Sequence, residues 1–251
     1  MPKPEQTAKA GRELQDDLIR YLSDARLRKH GAGELPLSEN QAGRAEKFSR
    51  FLARRYYRDR LVRSFRYSRL FALAGHTVEQ VVDAGLFQNF LDECVLGSLE
   101  AARRVGEMAV VHLTVPNPPG PWWGELLEYE QGFFLQAATA DHGPLTHLPR
   151  RGTSALCRSF QWNLPEILPH LKSGQAIGDD LKKDVVLLFS RTVAGKIFVV
   201  EVEKTTELVW RHVDGLRRAA QIAAAAALPL ETVQNTLQAL NEIGAVVLPP
   251  A

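Results

Sequence analysis

A chain of 251 residues that is 45% hydrophobic can build one large domain or two small ones, each with a real core. Its 31 lysines and arginines against 29 aspartates and glutamates leave a formal charge of +2, a balance that does not imply a nucleic-acid binder overall but hides an uneven distribution. The two cysteines, Cys94 and Cys157, lie far apart without metal-ligand spacing, which argues against a disulfide framework or a zinc site.

The opening stretch MPKPEQTAKAGRELQDD has no apolar h-region, and no apolar run is long enough to span a bilayer, so a reducing cytoplasm is the expected location, with no membrane partner. Residues 1–40 read as a polar segment with one helix over Glu13–Lys29, where Leu14, Leu18, Tyr21 and Leu22 form a stripe. A loop follows through Gly31, Gly33 and Pro36. From Glu39 to about Ala74 the pattern is helical and very basic, with Phe48, Phe51, Leu52, Leu61, Phe65 and Phe71 as apolar positions. Thr77, with Gln80 three residues on, is placed to N-cap a short helix through a capping box. Leu86–Val111 reads as one long helix, Pro116–Pro121 as a break, and Trp122–Thr139 as a further helix.

Beyond Gly143 the texture changes. Ser154–Trp162 reads as a strand and Pro165–Leu171 as a short helix. Val185–Arg191 and Lys196–Val202 are the clearest strands, joined by a hairpin at Val193, Ala194 and Gly195. Helices over Glu207–Val213, Leu216–Ala227 and Leu230–Ile243 follow, the last closed by Gly244, and Val246–Leu248 can pair as a final strand. The expected fold is therefore α+β. A helical bundle (41–142) precedes a winged-helix-like peptide recognition domain (150–251), a hairpin or three-stranded sheet plus three helices, with the boundary near 142–153.

Such a C-terminal module suits two partners. Its last helix could enter a DNA major groove, yet it carries Glu231 and Glu242 and no Lys or Arg, poor electrostatics for phosphate. A sheet edge could instead take a guest peptide as an added strand. Ile197, Val199, Val200 and Val202 on the hairpin, with Leu237, Leu240 and Ile243 on the last helix, are the candidate lining, although such residues also serve as plain core.

The segment FLDECVLGSLEAARRVGEMAVVHL…PNPPGPWWGELLEYEQGFFLQAA resembles the helical N-terminal domain of HvfC-like proteins, with Pro121, Trp122, Trp123, Leu126, Leu127 and Glu130 at the positions of that domain's Pro-Trp-Leu-like element. VVLLFSRTVAGKIFVVEVEKTTELVWRHVDGLRRAAQIAAAA resembles the second half of the same proteins and is similar to PqqD-like peptide recognition elements. The resemblance covers roughly residues 40–248. It implies a partner protein, non-catalytic by itself, of a TIM-barrel oxidase with a multinuclear non-haem iron site. The TglI-like branch of the family implies 3-thiaglutamate-type biosynthesis, in which the β-carbon of a C-terminal cysteine on a ribosomally made carrier peptide is excised. No cofactor is then expected in this chain, and the iron belongs to the partner enzyme.

The residues offer little chemistry of their own. His142 and His147 flank a Gly-Pro pair beside Asp141 in the expected linker, where a solvated segment is the better reading than a metal site. Cys94 reads as core; Cys157, beside Arg158, is the more reactive candidate but has no base in sequence reach. No phosphate loop, nucleophile elbow or HExxH is present. The basic run over 44–69 and its tyrosines fit nucleic acid, a protein interface or intramolecular pairing. The resemblance favours docking on a protein partner, with Arg54, Arg55 and Arg58 as contacts and Trp122 and Trp123 as a second surface.

Overall fold

The computed structural model describes residues 15–29, 37–71, 76–140 and 147–249. The fold is α+β: an N-terminal helical region, then a three-stranded antiparallel sheet with further helices.

The first helix, α1 (15–23), stops where Asp24 makes a β-bridge to Val95. The Asp24 carboxylate accepts from the Arg26 main-chain N–H at 2.8 Å and starts a new helix, α2 (Ala25–Lys29). The single helix expected over Glu13–Lys29 is thus two; Glu13, Leu14 and the loop through Gly31, Gly33 and Pro36 lie outside the described residues. The long helix α3 (Glu39–Ser64) opens with a capping box between Ser38 and Gln41. It ends ten residues before the expected Ala74, because the Glu130 carboxylate takes the main-chain N–H groups of Tyr67 and Ser68 and holds the chain in a turn.

Val78–Asp83 is a 3-10 helix in which Thr77 makes no side-chain cap, so the capping box expected there does not form. The expected Leu86–Val111 helix is likewise two, α4 (Gly85–Phe90) and α5 (Leu99–Leu113). Gly97 at φ +79° turns the chain, and the Ser98 side chain accepts from Ala101 N–H to cap α5. The aromatic-rich α6 (Trp123–Ala138) follows the Pro-rich break as expected.

After β1 (Arg150–Arg151) come β2 (Leu156–Phe160), α7 (Leu164–Ser173), β3 (Val185–Arg191), β4 (Ile197–Glu201), α8 (Lys204–His212), α9 (Ala219–Ala226), α10 (Leu230–Glu242) and β5 (Val246–Val247). The sheet runs β2-β3-β4, and β1 pairs with β5. The register sets Leu187 opposite Arg158 and Glu201, and Leu188 opposite Cys157 and Val200.

β3 is buried on both faces, and this joins the two halves of the molecule. Val185, Leu187 and Phe189 pack with the helical region, whose core holds Tyr57, Leu61, Phe65, Leu126 and Phe134. Leu188, on the opposite face, packs with Val209, Trp210, Ile222, Leu237 and Leu240 of α8–α10. The sheet is a middle layer between two sets of helices. Gly132 lets α6 lie close on it: a Cβ there would stand 2.7 Å from Phe189 Cε1.

Candidate functional site

β4 is an edge strand, and the hydrogen-bond register tells which of its groups are free. Val202 N donates to Val186 O at 2.9 Å, and Thr192 N donates to Lys196 O at 3.0 Å. Bonded pairs in an antiparallel ladder alternate, so Phe198, Val200 and Val202 spend their main-chain groups on β3. Ile197, Val199 and Glu201 direct theirs outward, with no partner among the described residues. The other edge, β2, is flanked by Arg158, whose guanidinium donates to Glu128 O and Gln131 Oε1 of α6.

Alternation divides the seven residues named for peptide binding. Val199 packs with the helical region, and Ile197 shares its face; Val200, Val202 and Ile243 pack with the core of α8–α10. These five are half-buried, four of them on β4 or just after it, whereas Ile243 meets β3, its carbonyl accepting from the Ser190 hydroxyl at 2.8 Å. Leu237 and Leu240 are 3% exposed and fill the interior of the three-helix core, so their atoms are not open to a guest. The sequence pattern marks all seven as apolar but does not say which of them a helix covers.

The named docking residues also divide. Arg54, Arg55 and Arg58 are exposed on α3, Arg54 lying 3.8 Å from Asp83. Trp122 and Trp123 are not a surface. Each is 5% exposed, both stack edge-on with Phe71, and Trp123 Nε1 donates to Leu113 O at 3.2 Å. Burying two indoles, with the Trp123 N–H satisfied, anchors the Pro-rich elbow.

Phe48 and Phe51, two of the apolar positions of the basic run, are 52% and 55% exposed. Arg44, Phe48, Phe51, Arg55, Arg58 and Val62 recur at spacings of four and three, one stripe on the outer face of α3. That spacing was the available signal for an aromatic patch framed by cations.

Other members of the basic run work within the molecule, joined by Arg191 of β3. Arg50 pairs with Asp92 and Glu46, and Arg69 with Glu79. Arg60 donates to Ala137 O at 2.9 Å, Tyr56 Oη donates to Ala138 O at 2.9 Å, and Arg191 donates to Gln136 O and Thr139 O. Together they satisfy the last carbonyls of α6 and set cations against the negative end of its dipole.

Neither cysteine is set up as a nucleophile. Burial pushes the Cys94 and Cys157 thiols up to about 11, which disfavours the reactive thiolate. Burial likewise pushes Glu130 up to about 7, against the lowering effect of its hydrogen bonds to Ser68 and Tyr67. His76 stacks on His112 with centroids 4.5 Å apart, and burial together with that neighbour lowers the His112 pKa. Among the described residues no group of three or more His, Cys, Asp or Glu side chains could hold a metal ion; Asp141 and His142 lie outside them. No described helix is long and apolar enough to cross a membrane.

No protein-family model matches this chain, and no curated protein matches it significantly.

Proposed function

We propose that this chain is a non-catalytic partner subunit that takes a ribosomally made carrier peptide as an extra strand on β4 and presents its C-terminal cysteine to an iron-dependent oxidase. The observation that carries the reading is the open β4 edge. Three residues offer outward main-chain groups, and half-buried Val200 and Val202 alternate with them in a module of three strands and three helices. Strand addition draws affinity from main-chain hydrogen bonds and specificity from pockets for alternate side chains. The oxidase, its iron and the excision of a cysteine β-carbon come from the resemblance to HvfC-like proteins. Docking is assigned to the outer face of α3, where Arg55 and Arg58 frame Phe48 and Phe51; arginines and aromatic residues are what protein interfaces enrich.

The test is co-purification of the tagged chain with the oxidase and the peptide, followed by complex mass and iron content. A complex with iron in the oxidase subunit is expected. Val199→Pro removes one outward N–H and no ladder bond to β3, which an edge strand tolerates. Peptide affinity should fall at least tenfold with an unchanged circular dichroism spectrum, and Ile197→Pro should act alike. Full affinity in both folded variants would refute strand addition on β4. Arg55→Glu combined with Arg58→Glu should weaken assembly on size-exclusion while leaving peptide binding intact.

A winged-helix DNA regulator is the competing reading. α10 would be its reading helix, and residues 230–242 include Glu231 and Glu242 but no Lys or Arg. Duplex binding that weakens steeply with salt would favour it over the adaptor reading.

A further inference from the structure

The outer face of α3 has a period that tells what shape of partner it takes. Arg44, Phe48, Phe51, Arg55, Arg58 and Val62 follow one another at intervals of four, three, four, three and four, the alternation of a coiled-coil seam. At roughly 100° per residue they stay within about 40° of one line for about 27 Å along the helix. Ala53 and Tyr57, which bury α3 against the core, lie on its opposite side. Phe48 and Phe51 stand in the seam more than half exposed, and Arg44, Arg55 and Arg58 have no ion-pair partner among the described residues.

The chemistry of the seam selects among occupants. A second copy of α3 would bring three more arginines and no acid into it, since Asp59 only borders the line. A helix lying on a membrane keeps its cations on the face opposite its apolar side chains. Here Arg55 and Arg58 share the line of Phe48 and Phe51, so sinking the phenylalanines into acyl chains would drag the cations with them. A helix of another protein meets neither obstacle. It can set apolar side chains on the phenylalanines and carboxylates on the arginines, and guanidinium–carboxylate pairs are among the stronger hydrogen-bonded contacts.

We propose that the outer face of α3 pairs lengthwise with an acidic amphipathic helix of the partner protein, apolar where it meets Phe48 and Phe51 and carboxylate-bearing where it meets Arg44, Arg55 and Arg58. This rests on the docking role given to α3 above and names the chemistry of what docks there.

The test is fluorescence anisotropy of the full chain with labelled three-heptad helical peptides. Their seams carry leucine for Phe48, Phe51 and Val62 and glutamate for the three arginines, in both chain directions, beside versions with lysine for each glutamate. Saturable, salt-weakened binding of a glutamate peptide is expected, at least tenfold tighter than its lysine version. Arg55→Glu combined with Arg58→Glu should invert that preference, and Phe48→Ala combined with Phe51→Ala should weaken the glutamate peptide at least tenfold. All four side chains are exposed, so both variants should keep the circular dichroism spectrum of the native chain. No saturable binding of either glutamate peptide, equal binding of the lysine versions, a preference that survives charge reversal, or tighter binding of duplex DNA or phosphatidylserine vesicles through the same residues would overturn the proposal. The oxidase takes no part in this titration. A failed co-purification would therefore remove the adaptor reading and leave this result standing, and a failed titration would leave the β4 edge untouched.

Discussion

Glu130 shows how one side chain can set the course of the main chain at the cost of pH sensitivity. It is 1% exposed, accepts the Tyr67 N–H at 2.6 Å and the Ser68 N–H at 3.2 Å, and thereby ends the reach of α3. Its folded pKa of about 7 lies above the ordinary carboxylate value, so the folded state holds this proton more tightly than the unfolded chain does. Its contribution to stability is complete below about pH 4.5 and is lost as pH rises toward 7, a difference on the order of 3 kcal/mol. Glu130→Gln keeps an acceptor oxygen and removes the charge. The variant should gain on the native chain between pH 5 and pH 8, read from urea midpoints at both values; a constant difference would mean that Glu130 does not titrate in this range. In the sequence Glu130 is one more acid in an aromatic helix, and nothing in its spacing announces that it clamps a turn 62 residues away.

At the scale of elements, what was legible followed local chemistry. Val185–Arg191 forms a strand with the expected ends, because five β-branched and apolar residues, then Ser190 and Arg191, run up to a hairpin turn with Gly195 at φ +86°. Gly244 closes α10 at φ +75° as its position suggested. What failed was continuity. Apolar periodicity runs through Asp24 and through Gly97-Ser98, yet the first breaks on a side-chain turn and the second on a positive φ followed by an N-cap. Periodicity reports which face is buried and is nearly blind to a short interruption. The candidate site was legible to the same extent. The apolar residues of β4 were visible, whereas the pairing that leaves Ile197, Val199 and Glu201 facing outward is a matter of register. The packing of α6 on the sheet gives a sharp prediction. In an unobstructed helix, replacing glycine by alanine adds up to about 1 kcal/mol. Gly43→Ala in α3, where a Cβ meets nothing within 4 Å, should stabilise the protein by that much. Gly132→Ala should instead cost about 1–3 kcal/mol, because the new methyl meets Phe189, which Tyr129, Phe133 and Phe160 hold in place. Urea denaturation of the two variants measures both signs.

The whole molecule is organised around a sheet that neither half can give up. Residues 150–151 and 246–247 close one end of the chain onto itself, while Phe189 and Leu188 reach into different cores from adjacent positions. Far-UV circular dichroism and tryptophan fluorescence should therefore report one coincident unfolding transition. Two separated transitions would show that the helical region is stable without the sheet. For the same reason, truncation is a poor way to map peptide binding: removing residues 150–251 would strip Phe160 and Phe189 from Tyr129 and Phe133 of α6, and lost binding could not be told from lost folding.

The opposed faces of β4 also bear on how a guest would be read. In an added strand, the residue opposite Val199 would lean toward α6, and its neighbours toward α8 and α10. The two helical layers would each inspect every second position of the same peptide. Recognition would then have a parity: deleting a single residue between two anchor positions would present every side chain beyond the gap to the wrong layer, whereas deleting two would restore the match.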